Sequence, residues 1–477
     1  MQKEKALMSL QNVRATDPPA GVRRSHPGWF LAAAGLAATV AMVLPAPLAH
    51  ADTVDVKCSV PDLVAAVNTA NSSPGPDTLR LTRKCTYWLA TPNPANSSNG
   101  LPAITSGITI EGNGATIARA RSAPDFRILF VDDTGILKLN KTTISGGAAP
   151  DCPNFPGGGA CGGGISSLGT LMVRHSRVVN NTAESSVFAE GGGIESGNAA
   201  GVGAATLADT EISKNTAVYN GDVQSSAAGG GVLNNGPLTV ERTRFTNNAV
   251  RVTKNTDSLA LGAIAFFAPA TIRDSLISGN HSTAPGGTAR GALNNSATVT
   301  VTGTVIRNNT ASAPGGTANG GAAGNGGTLT LTRTRVIGNH ATAPNGGTVT
   351  GGAISLGPEG DLTLNNSTVR GNTASAPGGT ARGGGISNDL GGTVTTERSQ
   401  ISANTAKAPD GGTARGGGIF NAVGSTTLNH SSVTDNHADD GGGIFEESGT
   451  VTLNDTEVKR NHPNNCAPPN SVPACVG

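Results

Sequence analysis

Aromatic residues are scarce in this chain of 477 residues, which holds two Trp, two Tyr and ten Phe. Trp29 and Phe30 lie in an apolar run near the start, so the rest of the chain keeps Trp88 as its single tryptophan, beside Tyr87 and Tyr219. Sugar-binding clefts depend on apolar ring faces, so this poverty counts against a polysaccharide-processing enzyme. Charge is thin too, at 14% Asp, Glu, Lys and Arg, with a formal net charge of +1. Residues 1–51 carry Lys3, Lys5, Arg14, Arg23 and Arg24 against Glu4 and Asp17, a surplus of +3, which leaves −2 on the remainder. A chain with that balance has no basic face to offer, and nucleic acid and anionic membrane are excluded as partners on bulk electrostatics. Motif-borne chemistry is missing as well. There is no Gly-x-Ser-x-Gly elbow, no His-Glu-x-x-His helix and no P-loop, and the glycine pair within Glu111–Ile117 lacks the third Gly, following helix and βαβ unit of a dinucleotide site. Helical periodicity is absent between Leu101 and Asn461.

What the chain has in abundance is glycine, 68 residues of it, and the glycines recur in step. The stretch from Thr373 to Asn388 is closely copied from Asn404 to Asn421, with weaker copies at Asn280–Asn294, Asn309–Ala323 and Asn339–Ile354. The apolar residue that closes each Gly cluster falls at Ile165, Ile194, Val232, Ile264, Leu293, Ala323, Ile354, Ile386, Ile419 and Ile444. A second landmark, Ser or Thr followed by an apolar residue and ending in Asn, closes at Asn181, Asn215, Asn248, Asn280, Asn309, Asn339, Asn372, Asn404, Asn436 and Asn461. Both keep a step of about 25 to 38 residues, and ten copies at such a step mean a solenoid.

Within a repeat the period is two: Leu329 and Leu331, and Leu362 and Leu364, alternate with Thr330 and Thr363. These read as short strands, with Gly and Asn at corners that need positive φ. Strands joined only by tight corners cannot pair within a repeat, so each pairs with its counterpart one coil away, roughly 4.8 Å along the axis. The predicted fold is all-β, a right-handed, single-stranded parallel β-helix with a short N-terminal capping helix. The Asn landmark reads as a structural ladder, each side chain bonded to its neighbours and to local backbone; a ligand groove is the alternative.

These repeats resemble the right-handed parallel β-helix of the pectate-lyase-like superfamily, and more narrowly the polymorphic outer-membrane-protein repeats of bacterial surface proteins. That repeat class carries GGA[ILV] and FxxN motifs, matched here by Gly351-Gly352-Ala353-Ile354 and Phe245-Thr246-Asn247-Asn248; elsewhere Gly or Ser often replaces the Ala, and Val or Ile the Phe. The resemblance implies fold more than activity, since the superfamily includes lyases, hydrolases, esterases and non-catalytic adhesins.

Taken in order, residues 1–51 read as an export signal: Arg23 and Arg24 precede an apolar run from Trp29 to Val43, and Ala49-His50-Ala51 offers a cleavage site. The run is shorter than the roughly 18 apolar residues of a spanning helix, so no transmembrane anchor is expected in the mature chain. Residues 52–100 form the expected cap, with a helix entered through Pro61 and burying Leu63, Val67 and Ala70. Leu79-Arg80-Leu81 and Ile108-Thr109-Ile110 open the strands, and Glu111–Ile117 is a corner followed by another. The helix spans 101–462, and 463–477 is a disulfide-tied tail. The six cysteines fall as neighbours, Cys58 with Cys85, Cys152 with Cys161 and Cys466 with Cys475. Proximity favours that pairing among 15 connectivities in an exported chain. Metal binding is the competing reading, and no pair has zinc-site spacing or a companion His.

Chemistry finds few footholds. Glu190, Glu195, Asp389, Asp439, Asp440, Glu446 and Glu447 lie near the Gly corner but do not recur at one position in adjacent coils. Arg290, Arg382 and Arg415 occupy equivalent positions, and stacked guanidinium groups attract an anion or acidic glycan unless solvated. His430, His437 and His462 are a candidate metal group, weakened because His281 and His340 follow ladder Asn residues without a neighbour. No catalytic residue, metal or cofactor is assigned. The expected protein is secreted or cell-surface associated, monomeric and structural or adhesive rather than enzymatic, with an extracellular glycan or surface protein as partner. A pectate-lyase-like lyase or glycoside hydrolase, and a passive envelope spacer, are the alternatives. Between ladder Asn and Gly corner the coils carry inserts of different composition, at 183–190, 217–228 and 249–261 and then a repeated Ala-Pro-Gly-Gly-Thr-Ala series, and such a loop edge is where binding usually resides.

Overall fold

The structure, a computed structural model, describes residues 51–476 except 154, 156, 199 and 255. The export signal expected at 1–51 therefore lies outside the described residues but for its last. The rest is a parallel β-solenoid of about 11 turns. One coil shows the pattern. Thr328–Thr332, Arg335–Ile337, His340–Thr342, Thr348–Thr350 and Ile354–Leu356 are its five strands. Each pairs in parallel with its counterpart in the next coil, through Leu329↔Leu362, Val336↔Val369, Ala341↔Ala374, Val349↔Ala381 and Ile354↔Ile386. First and second strands of successive coils join one 25-stranded sheet; third and fourth strands form two nine-stranded sheets, and fifth strands a twelve-stranded one.

Alternation along these short strands sends Leu329, Leu331, Val336 and Ile354 into the interior, where they stack on their equivalents in one continuous core. The third and fourth strands instead send in small residues. Ala311, Ala341, Ala374 and Ala406 face Ala318, Val349, Ala381 and Ala414 in a second core. Ala there lets two strands that turn back on each other approach closely, and a larger side chain would overpack.

Two polar ladders hold the corners. At the second corner each landmark Asn is buried and bonds in both directions. Asn339 donates from its backbone N (2.9 Å) and Nδ2 (3.0 Å) to Asn372 Oδ1, donates from Nδ2 to the Ile306 carbonyl (3.0 Å), and accepts on Oδ1 from Asn309 N and Nδ2 (3.1 and 2.9 Å). The pattern runs from Asn181, whose Oδ1 takes Gly147 N, to Asn461, which donates to Asn465 Oδ1 in the tail. At the first corner a Ser or Thr does similar work: Ser367 Oγ accepts Thr334 N (3.1 Å) and donates to the carbonyl oxygens of Leu331 and Asn365, both at 3.0 Å. This second ladder is the Ser or Thr that opens the sequence landmark, which sequence reasoning used as a marker without assigning it a bond.

Positive φ at the corners is not confined to Gly and Asn. The first corner places Arg242, Asp274, Arg333, Arg398 and His430 at φ 44 to 49. An L-residue pays roughly 1–2 kcal/mol in this region, and the gain that offsets it is the stacking of the corner. Asp209 there accepts from Arg242 Nε at 2.7 Å and Nη2 at 2.9 Å, a bond that holds its carboxyl below the usual range.

The N-terminal end follows from capping. Val60–Ser72 is helical, with Ser59 as N-cap accepting from Asp62 N, and it buries Leu63, Ala66, Val67 and Ala70. The sheet starts earlier than the sequence suggests. Thr53–Val56 pairs with Asp77–Leu81, so the cap region already contributes strands. Glu111–Ile117 lies at the first corner of its coil, with Asn113 at positive φ beside Lys84 and Lys141 of the neighbouring coils, but the strand runs on through it from Gly107 to Arg119 with a register shift between Glu111 and Ala115. At the other end Cys466–Ala467 pairs with Ile444 and Phe445, and Val472 is buried against the core. Disulfides join Cys58 to Cys85, Cys152 to Cys161 and Cys466 to Cys475.

The ladder makes a quantitative expectation. Asn339→Ala strands buried donors and an acceptor in three coils and should lower unfolding free energy by roughly 1–3 kcal/mol, whereas Thr330→Ala, on an outward-facing strand position, should cost well under 1 kcal/mol. Thermal and denaturant melts of the two variants check this, and equal effects would contradict it.

Candidate functional site

The chain's densest polar chemistry lies where the fourth and fifth strands of each coil meet at the Gly corner. The residue before each Gly cluster and the residue after its closing apolar residue flank this bend, and in several coils they touch one another across it. Arg290 Nη1 donates to Asn294 Oδ1 at 3.0 Å, and Thr350 Oγ1 lies 2.8 Å from Ser355 Oγ. Leu233 and Ala265 cluster with Ala228 and Leu261 apart from the main core. Glycine is required in the bend itself: at Gly352 and Gly384 a Cβ would fall within 2.5 Å of neighbouring backbone atoms. The result is a largely buried seam beside the main core whose character changes from coil to coil.

Its first section is acidic. Glu190 is 5% exposed and Glu195 fully buried. Ser166 Oγ donates to Glu195 Oε2 at 2.7 Å, and Glu190 Oε2 lies 4.0 Å from Cys161 Sγ of the Cys152–Cys161 disulfide. Burial, with the Glu195 charge beside it, pushes the Glu190 carboxyl up to about 8. Arg127, only 1% exposed, sits in the coils below and is committed to Asp151 Oδ1 (2.6 Å), Asn99 Oδ1 (2.9 Å) and the Cys161 carbonyl.

The last section is cationic and aromatic. Arg382 and Arg415 pair in register, as the repeat predicts. Their charges are met within the chain: Arg382 reaches Asp389 Oδ2 at 3.5 Å and lies 5.4 Å from the Phe420 ring, and Arg415 reaches Glu447 Oε1 at 3.3 Å and lies 4.9 Å from the Phe445 ring. Phe420 and Phe445 stack at 5.6 Å. Burial raises the Asp389 carboxyl against the opposing pull of Arg382. The expected repulsion between stacked guanidinium groups is thus relieved by carboxylates and ring faces, which lessens the pull on an external anion. Arg290 stands apart, three coils away on Asn294.

The other candidates disperse. Asp439 Oδ2 accepts Ala414 N, and Asp440 Oδ1 accepts Gly441 N and Asn464 Nδ2. Glu446 is buried and its carboxyl raised by that burial. His437 and His462 bridge between adjacent coils, but His430 lies at the first corner between Glu397 and Asp455, at 3.4 and 3.6 Å, so the three imidazoles do not form one group. Sequence reasoning missed the grouping of Glu190 and Glu195 with a disulfide. The signal was present in the two residues flanking each Gly cluster, which read Cys161/Ser166, Glu190/Glu195, Arg290/Asn294, Thr350/Ser355 and Arg415/Phe420 down the chain.

Glu190 gives a pH dependence with a definite sign. Its folded value of about 8 stands above its ordinary 4.5, so the stability it contributes is complete below 4.5 and lost as pH rises to about 8. Relative to Glu190→Gln, the parent protein should lose melting temperature progressively across that window and run parallel above it. A constant difference between the two from pH 4 to 9 would contradict the assignment.

No protein-family model matches the chain, and no curated protein or solved structure matches it either, so the seam is interpreted from its own geometry.

Proposed function

We propose that this is an exported, non-catalytic β-helix protein with a structural or adhesive role at the bacterial surface or in the extracellular matrix, related in kind to the polymorphic outer-membrane-protein repeats within the pectate-lyase-like superfamily. The observation that carries this reading is the contrast along one edge, between third and fourth strands. In later coils this edge is regular: Gly286, Gly315, Gly346 and Gly378 each donate N–H to the Pro carbonyl of the next coil, at 2.7 to 3.1 Å, over a buried column of Ala284, Ala313, Ala343 and Ala376. In earlier coils it is irregular, at 186–188, 220–225, 253–254 and 256–258, and exposes Val187 (43%) and Val223 (68%) in neighbouring coils. The flanking residues of the inserts, among them Ala189, Glu190 and Leu259–Leu261, belong to strands. Variable, partly apolar loops on a rigid stack are a common place for recognition.

Three disulfides fit an oxidising compartment, and no helix among the described residues is long and apolar enough to cross a membrane. A glycan or a surface protein is the partner class proposed, with the chain acting as a monomer. The lyase or hydrolase reading would draw on Glu195, Asp439 and Arg382, and is less favoured because Glu195 is fully buried, Asp439 is held by backbone and Arg382 by Asp389.

Replacing 186–188 and 253–258 by the Ala-Pro-Gly-Gly type of turn should abolish binding to cells or matrix while the melt stays within a few degrees of the parent, since the strands are untouched. Unchanged binding by the exchanged chain refutes the edge, and a parent that binds nothing favours a passive spacer. Sugar ends released from an acidic polysaccharide by the parent, and lost in Arg382→Ala, would install the enzyme reading instead.

A further inference from the structure

The first section of the seam holds more than a disulfide. Cys152 Sγ, Cys161 Sγ and a carboxylate oxygen of Glu195 lie within 4.8 Å of one another, and all three residues are buried. Glu190 adds a second carboxylate 4.0 Å from Cys161 Sγ. No other set of three or more His, Cys, Asp or Glu side chains converges in this way among the described residues.

The register explains much of the convergence. Cys161 and Glu190 are paired in adjacent fourth strands, while Ser166 and Glu195 are paired in adjacent fifth strands, so the bend between them folds both carboxyl groups toward Cys161, to which Cys152 is bonded. Glu190 and Glu195 are buried side by side, a setting in which a bound cation offsets the cost of keeping carboxylates charged. The sulfurs cannot serve as strong ligands while bonded to each other, because the thiolate is the metal-binding form.

We propose that the Cys152–Cys161 disulfide closes a redox-gated site for a thiophilic divalent cation of the Zn²⁺ kind, with Cys152, Cys161, Glu195 and Glu190 as its ligands. Reduction breaks the S–S bond: two electrons come from a dithiol or phosphine reductant and two protons from solvent, giving two thiols. The cation then displaces both thiol protons and the proton that burial keeps on the Glu190 carboxyl, and is bound by two thiolates and two carboxylates, a ligand set suited to tetrahedral Zn²⁺. A second disulfide can take the two electrons back: thiol–disulfide exchange joins Cys152 to Cys161 again, reduces the exchanging disulfide to two thiols and releases the ion, so metal and disulfide are alternative occupants of one place.

The test uses the full chain, reduced anaerobically with a phosphine, which takes oxygen from water as it is oxidised. One equivalent of Zn²⁺ is added, and alkylation of each of the six cysteines is followed by peptide mass. Zn²⁺ should slow alkylation of Cys152 and Cys161 by about tenfold or more while leaving Cys58, Cys85, Cys466 and Cys475 unprotected, and Glu195→Gln and Glu190→Gln should each weaken that protection by about tenfold or more. Co²⁺ in place of Zn²⁺ should give thiolate-to-metal charge-transfer absorption that depends on the same residues. Melts of the oxidised Gln variants establish that they fold. Protection that is absent, equal at all six cysteines, or undiminished in both Gln variants overturns the proposal; a loop that simply unravels on reduction gives the first of these results.

Discussion

From Asn181 to Asn461, successive coils of this protein are held at the second corner by asparagines, each inner one of which belongs to three coils at once. Asn339 takes two donors from Asn309, gives two to Asn372 and gives one to the backbone at Ile306. A parallel solenoid has no hairpin to fix its register, and a slip of one residue would turn every Leu and Val of a short strand outward. The Asn ladder prevents that slip, because its bonds close only when the corners of adjacent coils are aligned. The Ser and Thr ladder repeats the constraint at the first corner, so the long sheet is pinned at both ends of its second strands.

With register fixed by buried polar bonds, the hydrophobic core can be modest. Many strands of three residues send a single side chain inward, and on two faces that side chain is mostly Ala or Val. Positions outside that core are then free to vary, and they do so in two places. Along the seam, side chains from neighbouring strands satisfy one another: acid with a Ser hydroxyl beside the disulfide in early coils, Arg with carboxylate and Phe in late ones. Along the loop edge, late coils share one stacked turn, while early coils diverge. Both features set the early coils apart, since the buried acids and the irregular loops occupy the same part of the stack.

The repeat, the strands, the capping helix and all three disulfide pairs were legible in the sequence, because each rests on a short-range signal such as period, corner glycine or proximity. The Asn ladder was legible for the same reason, its step being that of the coil. Other features depend on which face a side chain takes and what stands a coil away. Arg382 and Arg415 could be placed side by side, but their neutralisation by Asp389 and Glu447 requires knowing that the loops after the fifth strands curl back over the seam. Glu190 and Glu195 lie five positions apart across a Gly corner that looks like a mere turn, and only the sharpness of its bend brings them to the Cys152–Cys161 bond. The charged residues at positive φ, such as Arg398 and His430, defied residue preference because stacking overrides it.

The central claim is that inter-coil polar bonds, more than the core, set the stability of each coil. Site-resolved hydrogen exchange on the native protein tests it most directly. The account predicts that the backbone amides of the ladder Asn residues, each donated to the next coil's Oδ1, are among the slowest to exchange, and that Asn339→Ala speeds exchange at Asn309 and its adjoining corner while coils near Asn181 and Asn461 keep their rates. Fast exchange at the ladder amides, or a uniform acceleration along the whole stack, would contradict it.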